Sequence, residues 1–315
     1  METPFKLDLA KQFTDKKKLA PTSIKLYLRN LEKLNNNESL KNFNFLKDPT
    51  AIVKKLEKYA ENTKRGYLIS VTSALSLDTT TKPKKALYDQ YFALMMEMNK
   101  KLKAEESNNE MSDKQKENWL TQDEVQAKFN ELETKVKAFP KGAISSANYD
   151  TLLGLQVLAL YTCLPPRRNE YQNLNLVKTG TSTLPTDTNY LDYDARKFVF
   201  NKFKTSKKDG KVELGIPENL FTVINLYLKH HPLLKGKKLV KTTNIPFLVY
   251  YNGEPLNKVN SITRILNKVF GKSVGSSMLR HIYLSSKYGA VQEEQKKDSE
   301  AMSHSLGQQK DYIKV

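Results

Sequence analysis

A fourteen-residue segment with almost no apolar side chains, EESNNEMSDKQKEN at residues 105–118, interrupts an otherwise periodic chain. Such a segment buries too little apolar surface to offset the entropy lost when a chain is ordered, which is typical of a polar linker. Apolar residues recur at helical spacing on both sides of it. We therefore predict two domains, at residues 1–104 and 119–315, joined by a linker at 105–118.

The composition limits the classes of protein that fit. The 315 residues are 39% hydrophobic and 10% aromatic, which is enough to bury two cores. The chain lacks both the run of roughly 20 apolar residues that a membrane helix needs and, at its start, the apolar centre of a signal peptide. A single cysteine, Cys163, excludes an internal disulfide. We expect a soluble intracellular protein.

The histidines give no indication of a metal site. The four of them, at positions 230, 231, 281 and 304, do not have the spacing of known metal-binding motifs. We expect neither a metal nor another cofactor.

The charge balance points to a polyanionic partner. The chain carries 52 Lys and Arg against 34 Asp and Glu, a net charge of +18. Residues 1–104 have 21 basic and 11 acidic side chains, and residues 119–315 have 29 and 18, whereas the linker has 2 and 5. Two basic domains joined by an acidic tether are suited to clamping a nucleic acid, because neutralised phosphates supply affinity that is independent of sequence.

The first domain is predicted to be a small helical bundle. Its stretch 24–34 has apolar residues at helical spacing behind Thr22 and Ser23, which are candidate caps. Three further amphipathic segments start near Asp48 or Thr50, at residue 63 and at residue 82. The segment from 63 begins with the basic pair of residues 64 and 65.

The second domain is predicted to be helical with one interruption by strands. Thr121 and Glu124 form a capping-box pattern at its start. Alternating apolar runs near 190–193, 198–203 and 212–216 are separated by turn signals at Asp194-Ala195 and Asp209-Gly210. We predict a small antiparallel meander whose last turn is rich in lysine.

Four segments of this domain carry groups that suit phosphate chemistry. They are TCLPPRRNEY at 162–171, the lysine-bearing hairpin, SSMLRHIYLSSKYG at 276–289, and SHSLGQQKDY at 303–312. Each alone has an ordinary structural interpretation: surface arginines, solvated lysines and a packed tyrosine. Their order, which is arginine, lysine, arginine-histidine, histidine and tyrosine, is more specific than any one of them.

This ordered set resembles the catalytic domain of the tyrosine recombinases and of their relatives, the type IB topoisomerases. The resemblance covers the whole chain, since that family joins a helical core-binding domain to a C-terminal catalytic domain through a linker. PPRRNEY and LRHIYLSSKYG look most similar to recombinases of large eukaryotic DNA viruses and associated mobile elements. The resemblance implies a mainly α fold with a small antiparallel β-meander.

The resemblance also implies the reaction. Tyr312 would attack the scissile phosphorus and hold the cut DNA as a 3′-phosphotyrosyl ester, without metal or ATP. Arg167 and Arg280 would bind the non-bridging oxygens, because a guanidinium offers paired donors and a permanent charge. His304 would donate a further hydrogen bond, and Lys204, expected on the second strand of the meander, would protonate the leaving 5′ oxygen. Three other lysines are alternatives for that proton transfer: Lys202, Lys207 and Lys208.

The remaining residues of these motifs would have supporting roles. Glu170 would orient Arg167, and the spacing between the two is the reason for choosing Arg167 over Arg168 as the first arginine. Arg168 would then contact a phosphate or pack. His281 would support the site without taking part in the chemistry. Weaker candidates for DNA contact are Lys64, Arg65, Arg168 and Lys202.

Two features depart from the family pattern. Ser277 stands where a histidine or lysine is usual; a serine can donate a hydrogen bond to a phosphate but is a poor acid or base. The interval between His304 and Tyr312 is about a residue shorter than is common in the family. Three residues follow Tyr312, so we expect assembled subunits to be coupled through other surfaces, unless the chain is cut short.

The expected partner is double-stranded DNA. The resemblance implies a homotetramer on paired DNA sites and a monomer or weak dimer without DNA. We expect no membrane association, and action in the nucleus or at a viral replication site if the source is eukaryotic or viral. Two other functions stay open: a topoisomerase that relaxes supercoils, and a DNA-binding protein that has lost catalysis.

Overall fold

The computed structural model describes residues 2–107, 111–178, 184–240 and 243–313. The chain divides into two compact units, Met1–Met111 and Ser112–Val315. The division falls inside the segment that the sequence predicts to be a linker, of which residues 108–110 lie outside the described part. Helices occupy much of the rest of that segment: one continues to Ser107 and another spans Asp113–Asn118.

Helices form the described part of the first unit. They are α1 (Pro4–Asp15), α2 (Pro21–Leu34), α3 (Pro49–Leu56), α4 (Glu61–Leu75) and α5 (Lys82–Ser107), with a 3-10 turn at Asn44–Leu46. The four predicted helices are present, and α1 is an addition. Proline opens each of the first three helices, where its fixed φ suits the first turn and its missing N–H costs nothing.

The predicted caps of the first unit are partly wrong. The Asp48 side chain accepts from the Ala51 N–H, which confirms Asp48 as the cap of α3. Thr22 and Ser23 do not cap α2, because the helix already begins at Pro21 behind Ala20. The core of this unit includes Leu31 and Tyr91, and the Tyr91 hydroxyl donates to the Leu46 carbonyl at 2.9 Å.

The second unit combines helices with a sheet. Its described helices are α6 (Asp113–Asn118), α7 (Gln122–Lys137), α8 (Ser146–Thr162), α9 (Ser206–Asp209), α10 (Glu218–Lys229), α11 (Ser261–Phe270), α12 (Ser276–Ala301) and α13 (Leu306–Tyr312). Its described strands are β1 (Leu174–Lys178), β2 (Asn189–Asp192), β3 (Lys197–Phe200), β4 (Val212–Gly215) and β5 (Thr243–Pro246). The predicted capping box at Thr121 and Glu124 is confirmed.

The sheet is larger than predicted and is mixed. Over the described residues its order is β4-β3-β2-β1-β5. The antiparallel meander is present as β2, β3 and β4, but β1 pairs in parallel with β2, and β5 pairs antiparallel with β1. Both added strands pair with segments distant in sequence, so a hairpin pattern cannot indicate their partners.

The turn predicted at Asp209-Gly210 is wrong in form. Residues 201–211 connect β3 to β4 and contain the short helix α9, which ends at Asp209 and is followed by Gly210 with φ 70°. Since β3 ends at Phe200, Lys204 lies in a turn beyond the strand instead of on it.

Helix α8 lies at the centre of the second unit. Leu152 to Tyr161 are all buried, which is typical of a helix that is apolar on every side and packed on every side. Pro165 and Pro166 follow the end of this helix and prevent its continuation. Among the described residues, no helix has the length and apolar character needed to cross a membrane.

Candidate functional site

Arg167 is held beside the sheet by its neighbours. It follows the two prolines, and its Nε donates to Glu170 Oε2 at 3.0 Å. Its guanidinium carbon lies 4.2 Å from the centre of the Phe200 ring and 5.5 Å from that of Phe203. A guanidinium stacked on aromatic faces and paired with one carboxylate oxygen keeps a defined orientation.

Arg280 is held at the start of α12. Leu279 and Ile282 anchor this turn of the helix in the core. The Arg280 Nη2 donates to Ser277 Oγ at 3.3 Å, so Ser277 supports the arginine. Arg280 Nε is buried without a partner in the described structure.

The charges of the two arginines act on two buried tyrosines, Tyr161 and Tyr171. The rings of Tyr161 and Tyr171 meet edge to face at 5.7 Å, and Tyr171 also packs against Phe200 at 5.6 Å. Burial raises the pKa of both hydroxyls; Arg280 opposes the rise in the pKa of Tyr161, and Arg167 opposes that of Tyr171. Arg167 and Arg280 therefore act on adjacent members of one aromatic pair.

Polar atoms near these arginines lack partners. Within the described residues, Asn169 Oδ1, Tyr171 OH and Arg280 Nε are buried and unpaired. Leaving such atoms unpaired costs about 1–3 kcal/mol each, so native structures normally pair them with protein, water or ligand. Two of the three are donors, and a hydrogen-bonded anion would satisfy donors of this kind.

The hairpin lysines lie in the segment that connects β3 to β4. Lys204 is exposed in that turn, and Lys207 and Lys208 are exposed on α9. Lys202 is also exposed, with its Nζ 4.0 Å from Asp187 Oδ2. Phe203, which belongs to the same turn, lies against Arg167. Phe203 therefore connects the lysine-bearing turn to Arg167.

His304 and Tyr312 lie elsewhere. The His304 N–H donates to the Ser299 carbonyl at 3.0 Å, at the far end of α12, and its ring meets the Tyr312 ring at 5.8 Å. Arg280 is near the start of that helix, so Arg280 and Ser299 are roughly 29 Å apart at 1.5 Å per residue. The structure brings His304 and Tyr312 together at the end of α12 that is opposite to Arg280.

The other candidate residues are placed as follows. The Arg168 side chain is exposed and its carbonyl accepts from Tyr161 OH at 3.2 Å, whereas His281 is exposed on α12. In the first unit, Lys64 pairs with Glu61 at 2.7 Å and Arg65 Nε donates to Asn99 Oδ1. The engagement of Lys64 with a carboxylate makes it a weaker phosphate ligand than its sequence position suggests.

Sequence reasoning missed the aromatic residues that support the arginines. Phe200, Tyr161 and Tyr171 match the apolar periodicity of their elements and are indistinguishable from core residues by pattern. The one available signal is the tyrosine content of the segments around Arg167, YTCLPPRRNEY, because a buried tyrosine brings a hydroxyl that needs a partner.

Comparisons with known proteins give no relative: no protein-family model matches the chain, and no curated protein or solved structure is significantly similar to it. Across the ranges that the structure describes, no group of three or more His, Cys, Asp or Glu could hold a metal ion.

Proposed function

We propose that this chain cuts and rejoins DNA through a phosphotyrosyl intermediate, as a site-specific recombinase or integrase acting as a tetramer on paired sites. One observation carries the proposal. Arg167 and Arg280 are far apart in sequence, yet each is held by its own hydrogen-bond partner, and their charges oppose the rise that burial causes in the pKa of the two tyrosines of one aromatic contact, Tyr171 and Tyr161 respectively. Two oriented guanidiniums in a protein of net charge +18 suit a phosphodiester of DNA.

The proposed reaction is a transesterification. The Tyr312 oxygen forms a bond to phosphorus and loses its proton to solvent, while the bond from phosphorus to the 5′ oxygen breaks. Lys204 gives a proton to that leaving oxygen. Arg167, Arg280 and His304 donate to the phosphate oxygens, whose charge grows in the transition state. Reversal of the same steps rejoins the strand, so no bond energy from ATP is needed.

The test is covalent trapping. A duplex nicked close to its cleavage site loses the short fragment after cutting, so rejoining fails and the protein–DNA ester accumulates. We expect an adduct with the native chain in EDTA and none with Tyr312→Phe, which still binds DNA. Tyr288→Phe is a matched control because Tyr288 is another exposed tyrosine near the end of the chain. An undiminished adduct with Tyr312→Phe would overturn the assignment.

A second candidate is a DNA-binding protein without catalysis. It is favoured by the separation between Tyr312 and Arg280 along α12 and by Ser277 in place of a histidine or lysine. Binding of DNA without an adduct on any of a pool of nicked duplexes would support this candidate. The topoisomerase alternative predicts relaxation of any supercoiled plasmid by isolated monomers, whereas the recombinase acts only on particular sequences.

A further inference from the structure

We infer that the first unit binds a basic amphipathic helix of a partner protein in a groove formed by α3, α4 and α5. The groove is a cavity of about 270 Å³. Its residues take no part in the reaction proposed above, so this binding is a second activity of the chain. The kind of occupant follows from the shape of the groove, its apolar floor and the charges at its rim.

The groove has the length of a contact between helices. Its lining residues run from Leu94 to Lys101 on α5, at positions i, i+3, i+4 and i+7, and from Glu61 to Leu68 on α4, at positions i, i+3 and i+7. These spacings place each set on one face of its helix. At 1.5 Å per residue each set spans about 10 Å, which is two turns. An amphipathic helix that binds in a groove uses anchors at i, i+3 or i+4, and i+7, which cover the same two turns.

The floor of the groove is apolar and only partly covered. Its residues come from all three helices and are Val53, Leu56, Leu68, Leu94 and Met98. Leu56 and Leu68 are 2% exposed, whereas Leu94 and Met98 are half-buried and Val53 is 38% exposed. A concave apolar surface of this kind loses its remaining contact with water when the apolar side chains of a partner fill it. The floor therefore accepts apolar anchors.

The rim of the groove carries unpaired negative charge. It consists of the charged lining residues, which are Glu57, Glu61, Lys64, Glu97 and Lys101. Glu61 engages both lysines, since Lys64 Nζ lies 2.7 Å and Lys101 Nζ lies 3.7 Å from its carboxylate oxygens. Neither Glu57 nor Glu97 has a side-chain hydrogen bond or ion pair within the part of the chain that the structure describes. Basic side chains of a partner would neutralise these two carboxylates.

The same charges favour a protein over DNA as the occupant. Three carboxylates and two ammonium groups line the groove, although residues 1–104 as a whole have 21 basic and 11 acidic side chains. A DNA backbone gains affinity from cations that are free to neutralise its phosphates, and both lysines of the groove are engaged with Glu61. The groove is therefore a local acidic site in a basic unit.

The ion pairs also indicate where the basic residues of the partner must lie. Glu61 opens α4 and its partner Lys101 is near the end of α5, so the two helices run antiparallel beside the groove. Leu68 and Leu94 therefore mark an apolar end, whereas Glu61, with Glu57 four residues before it, marks an acidic end. A matching helix has apolar anchors over one turn and arginine or lysine about two turns from the first anchor.

Two labelled peptides test the inference on the full chain in the absence of DNA. Each is an alanine-rich peptide of about 18 residues, long enough to form a helix in water. Both carry leucine at i and i+4; one has arginine at i+7 and i+8, and the other has glutamate there. We expect fluorescence anisotropy to give the arginine peptide a Kd about tenfold lower than that of the glutamate peptide. A chain of net charge +18 attracts acidic peptides over its general surface, so this preference requires a local acidic site.

Charge reversal at the rim should reverse the preference. Glu57→Lys combined with Glu97→Lys, at two exposed positions, should bind the glutamate peptide more tightly than the arginine peptide. Asp15→Lys combined with Glu38→Lys is the matched control, since both residues are exposed outside the groove, and it should keep the native order of affinities. The same order in the two double variants overturns the inference. Equal affinity of the native chain for the two peptides, or no binding of either, overturns it as well.

A variant of the floor distinguishes binding in the groove from attraction to surface charge. Met98→Gln should raise the Kd of the arginine peptide about tenfold. Met96→Gln should leave it unchanged, because Met96 is 49% exposed on the same helix outside the groove. Equal effects of the two substitutions contradict binding in the groove.

Sedimentation velocity tests for a different occupant. Self-association of the native chain that disappears in the Glu57→Lys, Glu97→Lys chain would assign the groove to a second copy and overturn the inference. A monomer at the concentrations used for the peptides supports a separate partner protein. None of these measurements involves cleavage of DNA, so their outcome is independent of the proposed function.

Discussion

The guanidinium of Arg167 lies 4.2 Å from the centre of the Phe200 ring, and Glu170 accepts from its Nε at 3.0 Å. Phe200 is the last residue of β3 and is fully buried, so the sheet sets the position of the arginine from one side. A cation stacked on an aromatic face gains about 0.5–2 kcal/mol, depending on how far it is desolvated.

Replacing Phe200 should therefore slow cleavage beyond any loss of stability. We expect Phe200→Leu to lower the single-turnover rate of adduct formation about tenfold, which corresponds to roughly 1.4 kcal/mol within the range for such contacts. Phe198→Leu is the control, because Phe198 is equally buried and also packs on Tyr171, at 5.3 Å. Equal rates for the two variants would show that packing of the aromatic cluster, and not the contact with Arg167, is responsible.

Removing either arginine should have a larger effect. Arg167→Ala and Arg280→Ala each remove a donor that we propose binds the phosphate, and loss of such a donor typically slows reaction by about a hundred- to a thousandfold. Arg168→Ala, one residue away and exposed, should change the rate little. Quench-flow or gel measurement of adduct formation in EDTA distinguishes them. If Arg168→Ala is the slow variant, the first arginine has been misassigned.

Lys204 should act on the leaving group alone. A 5′ sulfur in place of the bridging oxygen is a good leaving group without protonation, so it bypasses a general acid. We expect Lys204→Ala to cut the normal substrate slowly and the sulfur-bridged one at nearly the native rate. Lys202→Ala, Lys207→Ala and Lys208→Ala provide the comparison. If the sulfur-bridged substrate restores the cutting rate of one of these variants and not that of Lys204→Ala, the general acid is that other lysine.

Gln156 is a weak point in the core of the second unit. It is fully buried in α8, and in the described structure neither Nε2 nor Oε1 has a hydrogen-bond partner. Gln156→Met keeps the side-chain length and removes both unpaired groups, so the free energy of unfolding should rise by about 1–2 kcal/mol. Urea denaturation measures it. Gln126→Met, at an exposed site on α7, should stay within about 0.5 kcal/mol of the native value, and a similar change in both would contradict the explanation.

His231 should make the fold sensitive to acid. Its Nε2 lies 3.1 Å from the carbonyls of Pro246 and Phe247, and burial lowers its pKa below the ordinary 6.5. The unfolded chain therefore binds a proton at a higher pH than the folded chain does. Stability is complete above about pH 6.5 and falls as the pH drops toward the folded pKa.

The measurement is the slope of unfolding free energy between pH 7.5 and 5. His231→Gln should flatten that slope whatever its effect on stability at neutral pH, and the exposed His281→Gln should leave it unchanged. His230, whose pKa is also lowered through burial and Lys229, supplies part of the remaining slope. A native slope retained in His231→Gln would exclude this histidine as its origin.

Local patterns in the sequence are sufficient to predict much of the fold. Four helices of the first unit, the capping box at Thr121 and the meander of β2, β3 and β4 follow from apolar periodicity, caps and turn residues that act over a few positions. Strands β1 and β5 could not be predicted in this way. Their pairing depends on segments more than ten residues away, so a local hairpin pattern cannot indicate their partners.

The candidate site shows the same difference between local and distant interactions. The sequence alone determined the residue types and their order: the arginine followed three positions later by Glu170, the lysine-rich turn, and a histidine with a tyrosine near the end. Only the tertiary structure decided that Arg167 stacks on Phe200, that Ser277 holds Arg280, and that Tyr312 packs on His304 at the other end of α12 from Arg280. The physical reason is that α12 is continuous. The arginine near its start and the histidine after its end belong to successive motifs, but the helix holds them apart by 1.5 Å of rise for each residue between them.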